Sequence, residues 1–307
     1  MKNITERISS FSLDHESGSS ELAVQAIEIL DSVAGRYDEE HDALAAVRTA
    51  SLVFLAQPSI VSVLSTVNRF CLFAEEAGRA AAPLQKAWRD WAAGRERRIE
   101  QAVAYGVKAV EQAAAGPRTV TFSYSSLVIR VLVERAKAGV PTTVYVGESR
   151  PLFEGRKTAL KLSAAGIAVT LCIDAALFEH LHKADLVLIG ADGVYGGRVL
   201  SKIGTAPLIM LAAEHGVKVA IIASEEKIVP KGLETFLLFP HHDRAEIFPD
   251  APAGLLVENR YLDMTDMRLV DWLSTETGAY CGADVRGDIH RLPVSEALVE
   301  VLEKQEG

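Results

Sequence analysis

Apolar residues recur at helical spacing throughout the first third of the chain. In residues 20–33 they are Leu22, Ala23, Ala26, Ile27 and Leu30. A three- and four-residue period of this kind predicts a helix with one buried face, and Ser19 or Ser20 is a suitable N-cap for it. The same pattern predicts helices over 42–55 and 60–74 and a long charged helix over 84–115. Gly116-Pro117 then stops the pattern, which predicts a helical domain over residues 1–116.

The period changes after Pro117. Five short apolar runs rich in β-branched residues follow, at 119–124, 142–146, 168–173, 186–189 and 217–223. Helical patterns separate them, notably at 127–138, 152–165 and 203–215. Strand and helix alternation at this spacing predicts a parallel sheet with right-handed crossovers. The predicted fold class is therefore α/β, with a helical domain over 1–116 and a parallel-sheet domain over 117–307.

Polar residues follow the predicted strands at their carboxyl ends. In chain order they include Ser123, Ser125, Arg150, Asp174, Asp192 and Lys227. The carboxyl ends of parallel strands meet at one edge of a sheet, and open α/β sheets bind their ligands there. We therefore expect these side chains to gather into one functional site.

The stretch 186–205 carries the strongest local signal. Its apolar run ends at Gly190-Ala191-Asp192, which places a carboxylate just past a strand. Lys202 stands ten residues later, near the start of the next predicted helix. An acid and a lysine in these positions suit a phosphorylated ligand that exchanges protons. The alternative is that Asp192 only caps a loop or a helix, and spacing alone does not decide between the two.

Composition narrows the classes of function. The 307 residues carry a formal net charge of -9, which argues against nucleic-acid binding because phosphate backbones need a basic surface. Three widely spaced cysteines indicate reduced thiols without a disulfide framework. No apolar stretch reaches the roughly 20 uncharged residues of a membrane helix, and the N-terminus has no secretory pattern. We therefore expect a cytoplasmic protein that does not bind a membrane.

The sequence contains no cofactor motif that we recognise. The glycines between residues 190 and 197 do not form a dinucleotide fingerprint, and there is no phosphate-binding Walker loop. His241-His242-Asp243 contains metal-binding residue types, but adjacent histidines after a proline are more typical of a loop. We expect neither a cofactor nor a bound metal.

Two segments resemble a known family. They are Glu148-Ser149-Arg150-Pro151-Leu152-Phe153-Glu154-Gly155-Arg156, and Ile189-Gly190-Ala191-Asp192 followed by Ser201-Lys202-Ile203-Gly204-Thr205. The chain resembles the superfamily of the alpha, beta and delta subunits of translation initiation factor 2B. That superfamily also contains ribose-1,5-bisphosphate isomerase and methylthioribose-1-phosphate isomerase. Further signatures at 57–61, 263–265 and 275–278 extend the resemblance over most of the chain. It implies a helical N-terminal domain, a Rossmann-like C-terminal domain and self-association as a dimer or higher oligomer.

The resemblance also implies catalytic positions. The family's isomerases use a cysteine after the first strand of the C-terminal domain, together with the aspartate of a Gly-Ala-Asp motif. Asp192 matches the aspartate, whereas Ser123 stands at the cysteine position. A serine hydroxyl is far less acidic than a thiol, whose pKa is about 8.5, so the replacement is not conservative for acid–base or nucleophilic chemistry. The alternative role for Ser123 is a hydroxyl that satisfies a loop.

The family's phosphate-binding positions are only partly kept. An Arg-Gly-Ala turn of the isomerases corresponds to Ser17-Gly18-Ser19, and a second arginine corresponds to Gln57. The resemblance assigns ligand contacts to Glu154, Ser201, Lys202 and Lys227. Losing two charge-assisted contacts of about 1.5–3 kcal/mol each would weaken bisphosphate binding. Arg150 or Arg156 would have to compensate, although either is also suited to a structural ion pair.

These residues lead to two main hypotheses. The leading one is a protein like initiation factor 2B that binds a sugar phosphate or nucleotide at the strand tips, in a sensing or assembly role. The alternative is an aldose–ketose isomerase that acts on a phosphorylated pentose, with Asp192 as acid and base and Cys172 or Cys281 as possible replacement thiols. A third hypothesis is an interaction subunit without a ligand. The first two predict a phosphorylated small molecule and further copies of the chain as partners.

Overall fold

A computed structural model describes residues 3–14, 17–36, 43–78, 80–113, 116–282 and 292–306. These residues divide into two compact units. The helical unit takes in the described residues of Met1–Arg97, Glu226–Phe239 and Ile289–Gly307, and the sheet unit those of Arg98–Glu225 and Pro240–Asp288. The chain thus returns twice to its N-terminal unit. A domain boundary between residues 116 and 117 stays a prediction.

Eleven helices are formed by the described residues. They are α1 (Ile4–Ser12), α2 (Ser19–Ala34), α3 (Ala43–Ala56), α4 (Val61–Ala77), α5 (Ala81–Ala93), α6 (Arg95–Ala113), α7 (Ser126–Lys137), α8 (Glu154–Ala164), α9 (Asp174–Leu177), α10 (Thr205–Glu214) and α11 (Glu296–Glu306). Helices α1 to α5, the start of α6 and α11 belong to the helical unit. The helical character predicted for the first third of the chain is therefore confirmed for the described residues.

Two details of the predicted helices are wrong. The N-cap of α2 is Gly18, not Ser19 or Ser20, and its amide donates to the carboxylate of Glu21 across 2.9 Å. The long helix predicted over 84–115 is interrupted at Gly94, where α5 ends and α6 begins one residue later. Glycine has the backbone freedom to end a helix, and inside a helix it lowers stability by about 1 kcal/mol relative to alanine. The helix therefore ends at Gly94 although the helical period continues on both sides of it.

The last helix completes the core of the helical unit. Asn68 of α4 donates from Nδ2 to the carbonyl of Pro293 across 2.9 Å and accepts the amide of Ser295, also across 2.9 Å. Glu75 of the same helix accepts the Ser295 hydroxyl across 2.9 Å. Leu298 at the start of α11 has no exposed surface. Helix α4 thereby caps α11 with its own side chains.

The sheet unit is built on seven strands. They lie in the order β10 (Gly278–Cys281), β9 (Trp272–Thr275), β7 (Lys218–Ile222), β4 (Leu186–Gly190), β1 (Arg118–Thr121), β2 (Thr143–Gly147) and β3 (Ala168–Cys172). All neighbours are parallel except β9 and β10. The five strands predicted from the sequence are β1, β2, β3, β4 and β7, so the α/β fold with a mostly parallel sheet is confirmed.

A second, antiparallel sheet lies outside the predicted pattern. It consists of β5 (Gly193–Tyr195), β6 (Arg198–Lys202) and β8 (Leu262–Asp266), in that order. Lys202 is the last residue of β6, and α10 begins at Thr205, so Lys202 does lie near the start of that helix. The short β5–β6 hairpin has too few residues to show a clear two-residue period, and the sequence therefore does not predict these strands.

The direction in which the chain adds strands to the sheet reverses between β1 and β4. From β1 the chain moves outward to β2 and β3 and then returns to place β4 on the other side of β1. In open parallel sheets, ligands bind outside the carboxyl ends of the strands at such a reversal. The loops that follow β1 and β4 carry Ser123 and Asp192. These two residues therefore lie where the topology predicts a ligand site.

Helices of the described ranges are either too short or too polar to cross a lipid bilayer.

Candidate ligand site at the strand tips

The loops after β1 and β4 meet at Gly190, the last residue of β4. Ser125 is the N-cap of α7, and its side chain accepts the amide of Val128 across 3.3 Å. A Cβ at position 190 would lie 2.6 Å from Oγ and Cβ of Ser125, so only glycine fits there. Ser201 reaches the same residue from β6, because its hydroxyl donates to the carbonyl of Gly190 across 3.1 Å. The predicted residues Ser125 and Ser201 are thus brought together at one strand tip.

Asp192 lies two residues beyond this point, between β4 and β5. Its amide donates to the carbonyl of Leu200 in β6 across 2.8 Å, so the hairpin fixes its backbone. The residue is half-buried. Asp192 therefore lies just past the carboxyl end of β4, and its role in a ligand site stays a prediction.

Ser123 is held in an uncommon backbone conformation. Its φ of 64° is in the left-handed region, which non-glycine residues seldom adopt. Its amide donates to Oγ of Ser149 across 2.8 Å, and its carbonyl accepts the hydroxyl of Thr158 across 2.7 Å. Two hydroxyls from the segment after β2 therefore hold the turn after β1. Strained residues fixed in this way are typical of functional sites, although the strain alone assigns no chemistry.

Asp174 orders the loop between β2 and α8. Its carboxylate accepts the amides of Ser149 and Arg150 across 2.6 and 2.8 Å. Arg150 is exposed, and its guanidinium lies 4.9 Å from the ring centroid of Phe153. Arg156 pairs with Glu148 across 2.8 Å, which is the structural alternative considered for this arginine.

Lys202 and Glu154 form the buried ion pair of the site. Nζ of Lys202 donates to Oε1 of Glu154 across 2.8 Å, and the two side chains are 4% and 23% exposed. The ammonium also lies 5.1 Å from the ring centroid of Tyr261, within the range of a cation–π contact. The two ligand-contact residues predicted at 154 and 202 are therefore in direct contact with each other.

Tyr261 and Glu246 are site residues that the sequence did not reveal. The Tyr261 hydroxyl donates to the carboxylate of Glu246 across 2.6 Å, and Asn259 donates to Oε2 of Glu246 across 2.7 Å. Burial of the ring, followed by the bond to Glu246, raises the pKa of Tyr261 far above its usual range. These residues lie in or beside the irregular segment 240–261, where neither a helical nor a strand period marks them.

The start of α10 is occupied by an internal carboxylate. Asp263 of β8 accepts the amide of Gly204 across 2.7 Å and the amide of Ala206 across 3.1 and 3.2 Å. Burial raises the pKa of Asp263, and the two backbone N–H groups act in the opposite direction. The backbone N–H groups at the start of α10 already donate to Asp263. A ligand anion would have to compete with this carboxylate for them.

The remaining predicted residues lie in the helical unit. Gln57 donates from Nε2 to the carbonyls of Phe11 and Asp14, across 2.7 and 2.9 Å, so its amide nitrogen holds the segment before α2. Lys227 is 6% exposed and donates to the hydroxyl of Ser19. The amide of Ser17 donates to Oδ1 of Asp14 across 2.9 Å, and Gly18 is the exposed N-cap described above. A phosphate-binding role for this second group of residues stays a prediction.

The candidate thiols lie away from the tips of β1 and β4. Cys172 ends β3, an edge strand two positions from β1. Cys281 is exposed and pairs with Trp272, the first residue of β9, so it lies at the amino-terminal edge of the sheet. Strands are about 4.8 Å apart, and neither thiol is therefore positioned to replace a cysteine at residue 123.

Metal-ligating side chains do not cluster within the described ranges in any group of three or more. In the His241-His242-Asp243 segment, the ring of His242 stacks on Tyr261 with centroids 3.4 Å apart, and Asp243 accepts the amide of Ala245. The surroundings of these residues are those of a loop that packs on Tyr261.

Several known proteins with similar sequences are named ribose 1,5-bisphosphate isomerase. The ribose 1,5-bisphosphate isomerase of Archaeoglobus fulgidus is 28% identical over 253 residues, which are 80% of this chain and 77% of that protein. The protein of the same name from Thermococcus kodakarensis is 28% identical over 245 residues, 75% of each chain. That from Haloterrigena turkmenica is 32% identical over 179 residues, 54% of this chain and 55% of the relative.

Solved structures show the same fold at lower identity. The translation initiation factor eIF-2B of Pyrococcus horikoshii OT3 has a TM-score of 0.76 at 20% identity and covers 92% of this chain and 98% of its own. The 5-methylthioribose 1-phosphate isomerase of the same organism has a TM-score of 0.70 at 17% identity, with coverages of 98% and 88%. The model of the Initiation factor 2 subunit family matches residues 15–281, and the chain therefore belongs to that family.

Proposed function

We propose that this chain binds a phosphorylated pentose at the tips of β1 and β4 and converts its aldose form into the ketose. The observation that carries the proposal is the position of Asp192 after β4, at the reversal of strand order where open α/β sheets bind ligands. Relatives named ribose 1,5-bisphosphate isomerase, which match three quarters or more of the chain, support the substrate class.

The chemistry needs an acid that gives a proton and a base that takes one, and one carboxyl group can fill both roles in turn. In a pentose 1-phosphate, C1 has the oxidation level of an aldehyde but is locked in the ring. A proton on the ring oxygen opens the C1–O bond. A hydride, which is hydrogen with its bonding electron pair, then moves from C2 to the electron-deficient C1. Loss of the proton from the hydroxyl on C2 leaves a ketone at C2 and neutralises the positive charge. The carboxyl of Asp192 returns to its starting state when it supplies the first proton and accepts the last. The overall reaction is an internal redox exchange, so it balances without a cofactor.

Ser123 favours a second candidate function, which is binding without turnover. Its hydroxyl stands at the position implied for the family's catalytic thiol, and no other thiol is near. In that case the protein keeps the ligand site for a sensing or assembly role. The fold shared with the tetrameric complex of eIF2B beta and delta subunits from C. thermophilum, at a TM-score of 0.71, supports self-association in either case.

The test is incubation with ribose 1,5-bisphosphate, with the ketone carbon at C2 followed by NMR and with binding measured by calorimetry. We expect a ketose product from the wild type. Asp192→Asn should lower turnover by about 10²–10⁴-fold, the usual contribution of a general acid–base group, while the ligand still binds. The matched control is Asp250→Asn, because Asp250 is an exposed carboxylate of the same unit.

The outcomes separate the candidates. Binding without a ketose product supports the sensing role and rules out the isomerase. A wild-type protein that neither binds nor converts the sugar phosphate at millimolar concentration overturns both. Equal turnover in Asp192→Asn and the wild type would remove Asp192 from the mechanism.

A further inference from the structure

The charge of Lys202 is already compensated before any ligand arrives. Nζ donates to Oε1 of Glu154 across 2.8 Å, and the lysine side chain is only 4% exposed. A charge pair out of water interacts far more strongly than the same pair in solvent. Lys202 therefore does not present a free positive charge at the strand tips.

A second carboxylate adds negative charge beside the lysine. Nζ of Lys202 lies 5.1 Å from the ring centroid of Tyr261, and the hydroxyl of that ring donates to Glu246 across 2.6 Å. The charge of Glu154 also contributes to the raised pKa of Tyr261, which places both acids in the electrostatic environment of one ring. Glu154 is therefore bonded directly to Lys202, and Glu246 is linked to it through the ring and hydroxyl of Tyr261.

This arrangement discriminates between the chemical groups of a sugar phosphate. A phosphate dianion offers only acceptors, and it would have to displace Glu154 from Lys202 against the repulsion between like charges. A sugar hydroxyl both donates and accepts, so it binds an ammonium and a carboxylate together. Oε2 of Glu154 is enclosed and has no hydrogen-bond partner among the described residues, so a donor that reaches it gains a bond.

We propose that Glu154 is a specificity-determining residue that keeps phosphoryl groups away from Lys202, so that an uncharged hydroxyl-bearing part of the ligand occupies this position. The inference rests on the proposed function for the nature of the ligand. The exclusion of phosphate by the Glu154–Lys202 pair, however, has its own test that needs no turnover.

The test is calorimetric titration with inorganic phosphate of the wild type, Glu154→Gln and a matched control. Glutamine keeps the size of the side chain but removes the charge that competes with phosphate. We expect the affinity for phosphate to rise about tenfold or more in Glu154→Gln. The control is Asp250→Asn, which removes an exposed carboxylate of the same unit and releases no cation that an ion pair of this site holds. It should leave phosphate affinity unchanged.

A double variant assigns the gain to the lysine. Adding Lys202→Met to Glu154→Gln should abolish the increase, since methionine keeps the length of the side chain without its charge. Thermal unfolding of each variant verifies folding, because removing one partner of a buried pair is destabilising. If Glu154→Gln does not fold, Glu154→Asp keeps the charge, withdraws it from Nζ and should raise phosphate affinity by a smaller factor.

Unchanged or weaker phosphate binding in folded Glu154→Gln overturns the inference, and so does a gain that persists without Lys202. These results are distinguishable from failure of the proposed function. A wild type that binds no sugar phosphate, combined with a gain in Glu154→Gln, would reject the ligand class and keep the role of Glu154. If the wild type binds the sugar phosphate but Glu154→Gln does not bind inorganic phosphate more tightly, only the role of Glu154 is rejected.

Discussion

The hydroxyl of Thr158 in α8 donates to the carbonyl of Ser123 after β1, across 2.7 Å. The bond joins a helix to a turn 35 residues away in the chain, and Thr158 is 1% exposed. It therefore ties the backbone of the proposed site to the packed face of α8.

Replacing Thr158 by valine should remove this bond without changing the shape of the side chain. We expect the free energy of unfolding to fall by about 1–3 kcal/mol, because the partly buried carbonyl of Ser123 loses its donor. Chemical denaturation measures the change. Thr158→Ser keeps the hydroxyl, loses only the methyl group and is the control. No loss of stability in Thr158→Val would show that the bond to Ser123 contributes nothing.

Replacing Ser123 by cysteine should raise turnover with ribose 1,5-bisphosphate by about tenfold or more, because a thiol is a far stronger acid and nucleophile than a hydroxyl. The rate of ketose formation measures the effect. Ser126→Cys introduces a thiol at an exposed position three residues away and should change nothing. Equal rates in Ser123→Cys and the wild type would indicate that residue 123 takes no part in proton transfer.

Gly190→Ala should destabilise the sheet unit by about 1–3 kcal/mol, because the new Cβ would lie 2.6 Å from Oγ and Cβ of Ser125. Removing that obstacle with Ser125→Gly should recover part of the loss, since glycine is itself a tolerable N-cap. A double-mutant cycle by denaturation gives the coupling. Strict additivity of the two substitutions would contradict the close approach of the two loops.

Tyr261→Phe should destabilise the protein by about 1.5–3 kcal/mol, the usual contribution of a hydrogen bond to a charged group, because Glu246 loses its phenolic donor. Thermal and denaturant unfolding check the change. Tyr145 is the matched control, since its ring also stacks on a histidine, His180, with centroids 4.3 Å apart. Tyr145→Phe should be close to neutral, and a similar loss in both variants would count against the Glu246 bond.

Asp185 should make stability depend on pH in acid. Hydrogen bonding from Arg118 lowers the pKa of Asp185, so its contribution is fully present above the unfolded pKa of about 3.9 and is lost as pH falls through the folded value. We expect Asp185→Asn to be less stable than the wild type at pH 7, and the difference should shrink below about pH 4. Urea unfolding from pH 7 to 3 measures it. Asp250→Asn should show no such convergence.

The sequence was informative wherever hydrophobic period and topology decide the structure. The buried runs that became β1, β2, β3, β4 and β7 are long enough to show their character, and polar residues at their ends follow from parallel pairing. Parallel pairing alone predicts that Ser123 and Asp192 lie at the same edge of the sheet.

Side-chain contacts between segments that are distant in sequence could not be predicted from hydrophobic period and topology. Lys202 pairs with Glu154, 48 positions away, and the partner is known only once β6 is placed against the loop before α8. Tyr261 was missed because nothing in the irregular segment before β8 gives it a period. Gln57 is predicted to contact a ligand, and the sequence does not show that its amide nitrogen donates to two backbone carbonyls of its own unit. Side-chain pairing of this kind depends on packing, which no local pattern encodes.

The capping of α11 by Asn68 and Glu75 has a consequence for biosynthesis. Helix α4 is complete at residue 77, but its partner segment emerges from the ribosome only after residue 292. At about 5–20 residues per second, the nascent helical unit lacks this part of its core for on the order of ten to forty seconds. The described strands of the sheet unit, up to Cys281, are all made within that interval. The part of the protein that is made earliest is therefore the part that is finished last.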